Sequence, residues 1–398
     1  MKCLPLMCGS WCAICGVISN DYICSILFPF RLIITFVMKK ILHIILIIAG
    51  SILVLMGFLL IFIIVNSPGK SEPFITPEGK KIVGSIAVIE TVNINGLNQR
   101  MIIRGRDTTK PVLLYLHGGP GDPEFPFVHR FNPAIEDIFT VCYWEQRGAG
   151  LSYSEAVLPE TMTLSQFVDD AGKVSEYLIR RFGQKKIYLL GHSWGTLLGT
   201  FTIKKYPDYY NAFIAVGQVG DQVRAEKISY DFVLKRAREL NDSRAVKTLE
   251  SIGSPPYENS QEALEKMIIE RKYVIRYGGA VKKGNFYREA VKPLLFCKEY
   301  TLKDKINYLK GMQFSKKYLW DIVMKTNLFT SVTDQQIPVY ILQGVSDYET
   351  SYDVAKEYFD SLKAPLKKFY TFENSAHSPI FEEPEKFEMV IKEILSGQ

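Results

Sequence analysis

The stretch KKIYLLGHSWGTLLGTF, residues 185–201, decides how this chain is read. Four mostly apolar residues, Ile187 to Leu190, run into Gly191-His192-Ser193-Trp194-Gly195, and a second apolar run follows. The first run has the length and composition of a buried strand, and the second continues as a helix. A serine at that junction has two explanations. It caps the helix, or it is a nucleophile on a strained turn between strand and helix, where glycines on either side let neighbouring backbone close in. G-x-S-x-G is weak evidence alone, so the rest of the chain must supply a base, an acid and an oxyanion site.

A serine hydroxyl needs a base, and the base needs an orienting carboxylate. Five histidines are available. His43 lies in a long apolar run, His192 is the serine's neighbour on the turn, His117 sits in a glycine loop, and His129 falls in an early loop or helix. His377, in ENSAHSP just after the last predicted strand, fits a Ser…acid…His order. The acid should follow the preceding strand, IPVYILQGVSDYET. That makes Asp347 the candidate, with Glu349 as the fallback. His117-Gly118-Gly119-Pro120-Gly121 follows another short buried strand, Val112 to Leu116, where an oxyanion site is built in such an architecture. Gly119 and Trp194 would donate the two backbone N–H groups, and Pro120 can only stiffen the loop.

Strands alternate with helices around this centre. Residues 85–104 alternate about Asn95-Gly96, a hairpin signal. A strand over 139–144 and an amphipathic helix from Thr163 follow, the helix opened by a Thr163/Gln166 capping box and closed by Gly183. Strands are also expected near 212–216, 339–343 and 366–372, with a helix over 352–362 and a last one after Pro384. From about Gly220 to Thr330 the strand signal vanishes, and charged helical segments carry 22 Lys and Arg against 14 Asp and Glu. The expected class is α/β, a mostly parallel sheet with helices on both faces and one helical insertion. The boundaries read as core at 83–219, cap at 220–330 and core again at 331–398.

The first 70 residues are of a different kind. ILHIILIIAGSILVLMGFLLIFIIV, residues 41–65, has no acidic or basic side chain apart from His43. As a helix it would be roughly 37 Å long, enough to cross a ~30 Å hydrocarbon layer. It is too long for the core of a cleaved signal peptide. We expect a single-pass anchor at 38–66 in contact with lipid through 41–65, then a flexible linker at 67–82. Lys39 and Lys40 before the span place the amino terminus in the cytoplasm and the remainder outside the cell membrane. Residues 1–37 hold five of the seven cysteines and read as a misassigned or membrane-associated extension. Cys12 and Cys15 have C-x-x-C spacing but no second ligand pair, so no metal is expected. The remaining two cysteines do not make a disulfide scaffold. A net charge of +6, without an arginine-rich helix or zinc-finger spacing, argues against nucleic acid.

Together, HGGPG, WEQRGAGLS and GHSWG resemble the proline iminopeptidase branch of the α/β-hydrolases, the S33 peptidases, over about residues 85–395. The resemblance implies a Ser193, Asp347, His377 triad, Gly119 and Trp194 as oxyanion donors, and no cofactor. It departs at Glu145, where the family carries aspartate before Gln-Arg-Gly; Arg147 reads as structural. Aminopeptidases of this family hold the substrate's amine with cap glutamates, for which Glu262, Glu265, Glu270 and Glu289 are candidates. The expected activity is release of N-terminal proline or a small apolar residue from short peptides. An esterase or lactonase acting on a small apolar acyl compound is the alternative, and a non-enzymatic receptor that retains the pocket is a second.

Overall fold

The computed structural model describes residues 20–282 and 286–397; side chains are described there except at 20–32, 34, 35, 260 and 286–290. The described chain forms two compact units, divided between Phe62 and Ile63. The amino-terminal region is one helix, Asn20–Val65. Its Phe36–Val65 segment of 30 residues is unburied and long and apolar enough to cross a membrane. The helix therefore starts well before residue 38, the expected start of the anchor. Met38-Lys39-Lys40 is a charge signal and not a helix breaker, and the run just before it, LIITFV at 32–37, is apolar too. Cys12 and Cys15 lie outside the described residues.

The second unit is built on one eight-stranded sheet. Its strands are β1 Ile86–Ile94, β2 Leu97–Gly105, β3 Val112–Leu116, β4 Thr140–Trp144, β5 Ile187–His192, β6 Tyr210–Val216, β7 Val339–Gly344 and β8 Lys367–Phe372. Their order is β1-β2-β4-β3-β5-β6-β7-β8. The β1–β2 and β2–β4 pairs are antiparallel, and the other five are parallel. The β1–β2 turn is Asn95-Gly96, both at positive φ, as the hairpin signal requires. The central strands are apolar on both faces because helices cover both faces. Leu114, Leu116, Leu189 and Trp144 pack in one core, and Leu113, Tyr115, Leu190 and Tyr143 in the other. That period of two carries each strand's alternate side chains to opposite layers.

Local signals hold in most places. Helix Leu164–Phe182 is capped by Thr163, whose side chain accepts from Gln166 N–H, and ends at Gly183 in the left-handed region. The expected capping box is only half made. The Gln166 amide donates to Asp170 at 2.8 Å instead, drawn into a buried cluster where Arg147 grips Asp170 at 2.8 and 3.1 Å. Arg147 is thus structural, as read. Cys142 is a buried free thiol in β4 whose pKa burial pushes well up, consistent with an inert core residue.

Between β6 and β7 the described residues form helices only, including Gln222–Glu239, Ser243–Ile252, Ser260–Arg276, Phe286–Phe296 and Leu302–Lys325. The first three share their own small core of Tyr230, Val233, Leu249 and Val274.

The segment expected to be a flexible linker is docked on this unit. Ser67 is buried and accepts from Lys305 Nζ at 2.6 Å. Lys70 N–H donates to Lys298 O, and Arg104 donates to Ser71 Oγ and Glu72 O, each at 2.7 Å. The Arg104 guanidinium also lies over the Phe74 ring. Proline, glycine and serine there mark a chain without helix or strand. They do not prevent it from being pinned by residues as distant in sequence as Arg104 and Lys305.

Candidate active site

β5 delivers Ser193 to the carboxyl edge of the sheet, and helix Trp194–Lys205 leaves from it. Ser193 has φ 54° and ψ −119°, a strained conformation for a side chain with a Cβ. The two flanking glycines make that turn possible. A Cβ on Gly191 would run into the Gly195 carbonyl, and one on Gly195 into the Leu116 carbonyl of β3. Ser193 makes no side-chain cap to its helix, so the capping explanation lacks its hydrogen bond.

The loops after β7 and β8 bring Asp347 and His377 together. His377 Nδ1 lies 3.0 Å from Asp347 Oδ2. Asp347 is buried, and its two oxygens accept four further hydrogen bonds: from Gln343 Nε2 at 2.7 Å, Thr350 Oγ1 at 2.8 Å, and the Glu349 and Thr350 N–H groups at 2.9 Å. A carboxylate so fully held is a fixed anchor for one imidazole nitrogen, which leaves Nε2 free for the cavity side. Burial pulls the His377 pKa down, but the Asp347 and Glu349 carboxylates outweigh it and push it up to about 9.

The glycine loop lies against the turn. Gly119 has φ +112°, a conformation that suits glycine. Trp194 is the first helical residue, where N–H groups lack intrahelical acceptors. Gly119, Ser193, Trp194 and His377 all line one cavity of about 510 Å³. His117 does not reach into it: Nδ1 meets Gly118 O at 2.9 Å, and Nε2 accepts from Gln146 N–H at 3.2 Å. Burial lowers its pKa, which suits a neutral structural imidazole.

Glu124 was not picked out by sequence reasoning, and the geometry gives it a clear task. Its Oε1 accepts from Gly118 N–H at 2.9 Å and meets His192 Nδ1 at 2.7 Å, while Oε2 accepts from Tyr115 O–H at 2.6 Å. It therefore ties the glycine loop to the serine turn. Burial opposes its charge, but His192, Tyr115 and Gly118 hold the pKa below the usual value. Glu145, the departure from the family pattern, accepts from Tyr300 O–H at 2.5 Å and so joins the core to the cap. Burial raises it to about 8.

Cap helices roof the cavity with Met267, Ile275, Leu309, Met312, Trp320 and Val323. Among its polar lining, Trp320 Nε1 and Asp122 Oδ1 have no hydrogen-bond partner among the described residues. Of the cap glutamates whose side chains are described, Glu270 alone binds a lining residue of the cavity, Arg271 at 2.7 Å, without lining it itself. Burial raises its pKa to about 7. Glu262 pairs with Lys266, and Glu265 is exposed and accepts from Gln261; neither lines the cavity. The Glu289 side chain lies outside the described residues. Glu226, at 2.6 Å from Arg271, and Glu349 complete an acidic cluster that the sequence does not reveal. Its members come from two cap helices and the loop after β7, so no local spacing connects them. No group of side chains suited to hold a metal ion occurs among the described residues.

Comparison with known proteins agrees with this architecture. A family model described as alpha/beta hydrolase fold matches residues 111–384. The chain is 33% identical over 308 residues to a probable aminopeptidase of Bacillus subtilis, covering 76% of this chain and 94% of that protein. It is 26% identical over 298 residues to a proline iminopeptidase of Saccharolobus solfataricus, 71% of this chain and 84% of the relative. Among solved structures, a proline iminopeptidase of Mycobacterium smegmatis superposes with a TM-score of 0.57 at 18% identity, over 78% of this chain and 98% of its own. A proline iminopeptidase-related protein of Thermus thermophilus gives 0.56 at 20% identity, with the same coverage. At those identities the two structures speak for the fold.

Proposed function

The chain belongs to the α/β-hydrolase family, and from that premise we propose that it is a membrane-anchored serine aminopeptidase releasing proline or a small apolar residue from the amino terminus of short peptides. The observation that carries this reading is that Ser193, on its strained turn, and His377, held by Asp347, line one cavity under the cap. Ser193 Oγ attacks the scissile carbonyl carbon while His377 Nε2 takes its proton. The N–H groups of Gly119 and Trp194 receive the developing oxyanion. The imidazolium then protonates the leaving amine, and the acyl-enzyme is hydrolysed by water activated at the same nitrogen. The names of the curated relatives support a peptidase over other acyl transfers, and the acidic cluster suits a substrate with a free amine.

The apolar roof also suits a small ester or lactone, which remains the second reading. The apolar Phe36–Val65 helix supports a single-pass anchor, and Lys39 and Lys40 support a hydrolase unit outside the cytoplasm. Turnover of prolyl- and alanyl-4-nitroanilide by the full-length protein in detergent tests the activity. Loss of both anilide activities with retained cleavage of acyl esters would replace the peptidase by the esterase reading. Protease added to intact cells tests the topology: it should digest the hydrolase unit and spare a membrane stub.

A further inference from the structure

Glu349 stands on the cavity wall beside the nitrogen that has to accept the serine proton. Its Oε2 is 3.6 Å from His377 Nε2, and its Oε1 is 3.8 Å from Arg271 Nε. Neither cation is within hydrogen-bond distance. Arg271 cannot come closer without leaving Glu226 at 2.6 Å and Glu270 at 2.7 Å, which hold the other arms of its guanidinium. The backbone beneath the carboxylate is fixed, since Glu349 N–H donates to Asp347 and its carbonyl accepts from Gln222 Nε2 at 3.0 Å. The result is a carboxylate at the cavity with its backbone pinned and its two cationic neighbours both just out of reach.

We propose that Glu349 receives the α-ammonium group of the substrate and that this pairing frees His377 to act as the base. The proposal rests on the aminopeptidase reading above and goes beyond it, because it makes the general base respond to the charge of the substrate. An α-ammonium stands one carbon from the acyl carbon, so a carboxylate next to His377 is placed for that group and not for a more distant cation. The charged groups around His377 are Asp347 and Glu349 from the β7 loop, Arg271 from helix Ser260–Arg276, and Glu382 near Asp347. Thr350 and the His192 ring, 4.9 Å away, complete the surroundings, and Glu226 and Glu270 stand behind Arg271. The two nearest carboxylates favour the protonated imidazole, which cannot take a proton from Ser193. A substrate ammonium against Glu349 cancels one of them. A substrate lacking the amine leaves the base protonated over more of the neutral range.

The experiment compares 4-nitrophenyl esters of alanine and propionic acid, which differ in the α-ammonium, on full-length wild type and Glu349→Gln in detergent at about pH 7. Glu349 is partly exposed at the cavity (26% for its side chain), and glutamine keeps its volume. The variant should lose roughly 10- to 100-fold in kcat/KM on the alanine ester, the range of a charge-assisted hydrogen bond. On the propionate ester it should gain activity, because pH 7 lies on the acidic limb of that profile. The acidic limb of the propionate profile should lie near pH 9 in the wild type and move to lower pH in Glu349→Gln. Equal losses on both esters, or an unmoved limb, would overturn the proposal. Failure of the wild type to cleave alanyl- or prolyl-4-nitroanilide would count against the peptidase reading alone, and the two esters would still decide the role of Glu349.

Discussion

Replacing Asp347 by asparagine changes one atom's chemistry in a site where every neighbour is known. The carboxylate accepts five hydrogen bonds, two on Oδ1 from backbone N–H groups and three on Oδ2 from Gln343, Thr350 and His377. An amide can keep its oxygen at the Oδ1 position and satisfy both backbone donors. The opposite orientation would set an NH₂ against those two fixed donors, so it is disfavoured. The NH₂ then occupies the Oδ2 position. Thr350 can rotate its hydroxyl to accept, but Gln343 Nε2 cannot. One buried donor–donor contact costs about 1–3 kcal/mol. His377 Nδ1 must now accept, which places the ring proton on Nε2 and leaves no lone pair for the Ser193 proton. A loss of kcat of about 10⁴-fold follows, with substrate binding little changed. The stability cost also depends on pH. His377 is raised to about 9 in the fold, against about 6.5 unfolded, so its contribution is complete below about 6.5 and lost as pH rises through 9. Removing the Asp347 charge should therefore lower the melting temperature more at about pH 6 than at about pH 9.5. Steady-state kinetics and thermal melts at the two values check this. A variant retaining more than about a tenth of wild-type kcat, or one less damaged than Glu349→Gln on both ester substrates, would refute the reasoning.

Gly195→Ala should fail to accumulate as folded protein, or melt far below the wild type, because its Cβ meets the rigid Leu116 carbonyl of β3; circular dichroism of purified protein decides. Glu124→Gln should keep the fold and most activity, whereas Glu124→Ala should lose about 3 kcal/mol or more and at least tenfold in kcat, since Gly118, His192 and Tyr115 lose their shared partner. Equal behaviour of the two would deny Glu124 its bracing task. A chain beginning at Asn66 should be soluble, active and as stable as the full-length hydrolase unit. One beginning at Ser85 should melt several degrees lower, because the buried cations Arg104 and Lys305 lose Ser71, Glu72 and Ser67; identical melts would mean the docked segment contributes nothing.

The parts legible in the sequence are those written in local chemistry. Asn95-Gly96, the strand–turn–helix at Ser193, the glycine loop and the strand ends before Asp347 and His377 are each specified within about ten residues. The order of Ser193, Asp347 and His377 along the chain then follows from which histidine stands at the end of a strand. The acidic cluster is illegible for the opposite reason. Glu226, Glu270, Arg271 and Glu349 meet only after two cap helices and the β7 loop have packed, and Glu349, legible only as a fallback for the triad acid, has no local spacing to the other three. Glu262 and Glu265 lie on the same helix as Glu270 and pair with Lys266 and Gln261 instead; spacing does not separate the three, because Glu270 is itself about 100° round the helix from Arg271. The segment at 67–76 looks like a tether because composition reports the absence of regular structure and is silent on docking. Gln166 shows the same limit, since a cap partner was taken by a buried aspartate four residues on.

Covalent capture tests most directly whether Ser193 is the nucleophile. A fluorophosphonate probe should label the full-length protein at one residue, identified by mass spectrometry of the tryptic peptide as Ser193, and labelling should be blocked by prior turnover conditions with a slow acyl substrate. Ser193→Ala, with an unchanged circular dichroism spectrum, should take up no probe and cleave neither anilide nor ester. Undiminished labelling or turnover by Ser193→Ala would contradict the account, as would a wild type that hydrolyses its substrate but never reacts with the probe.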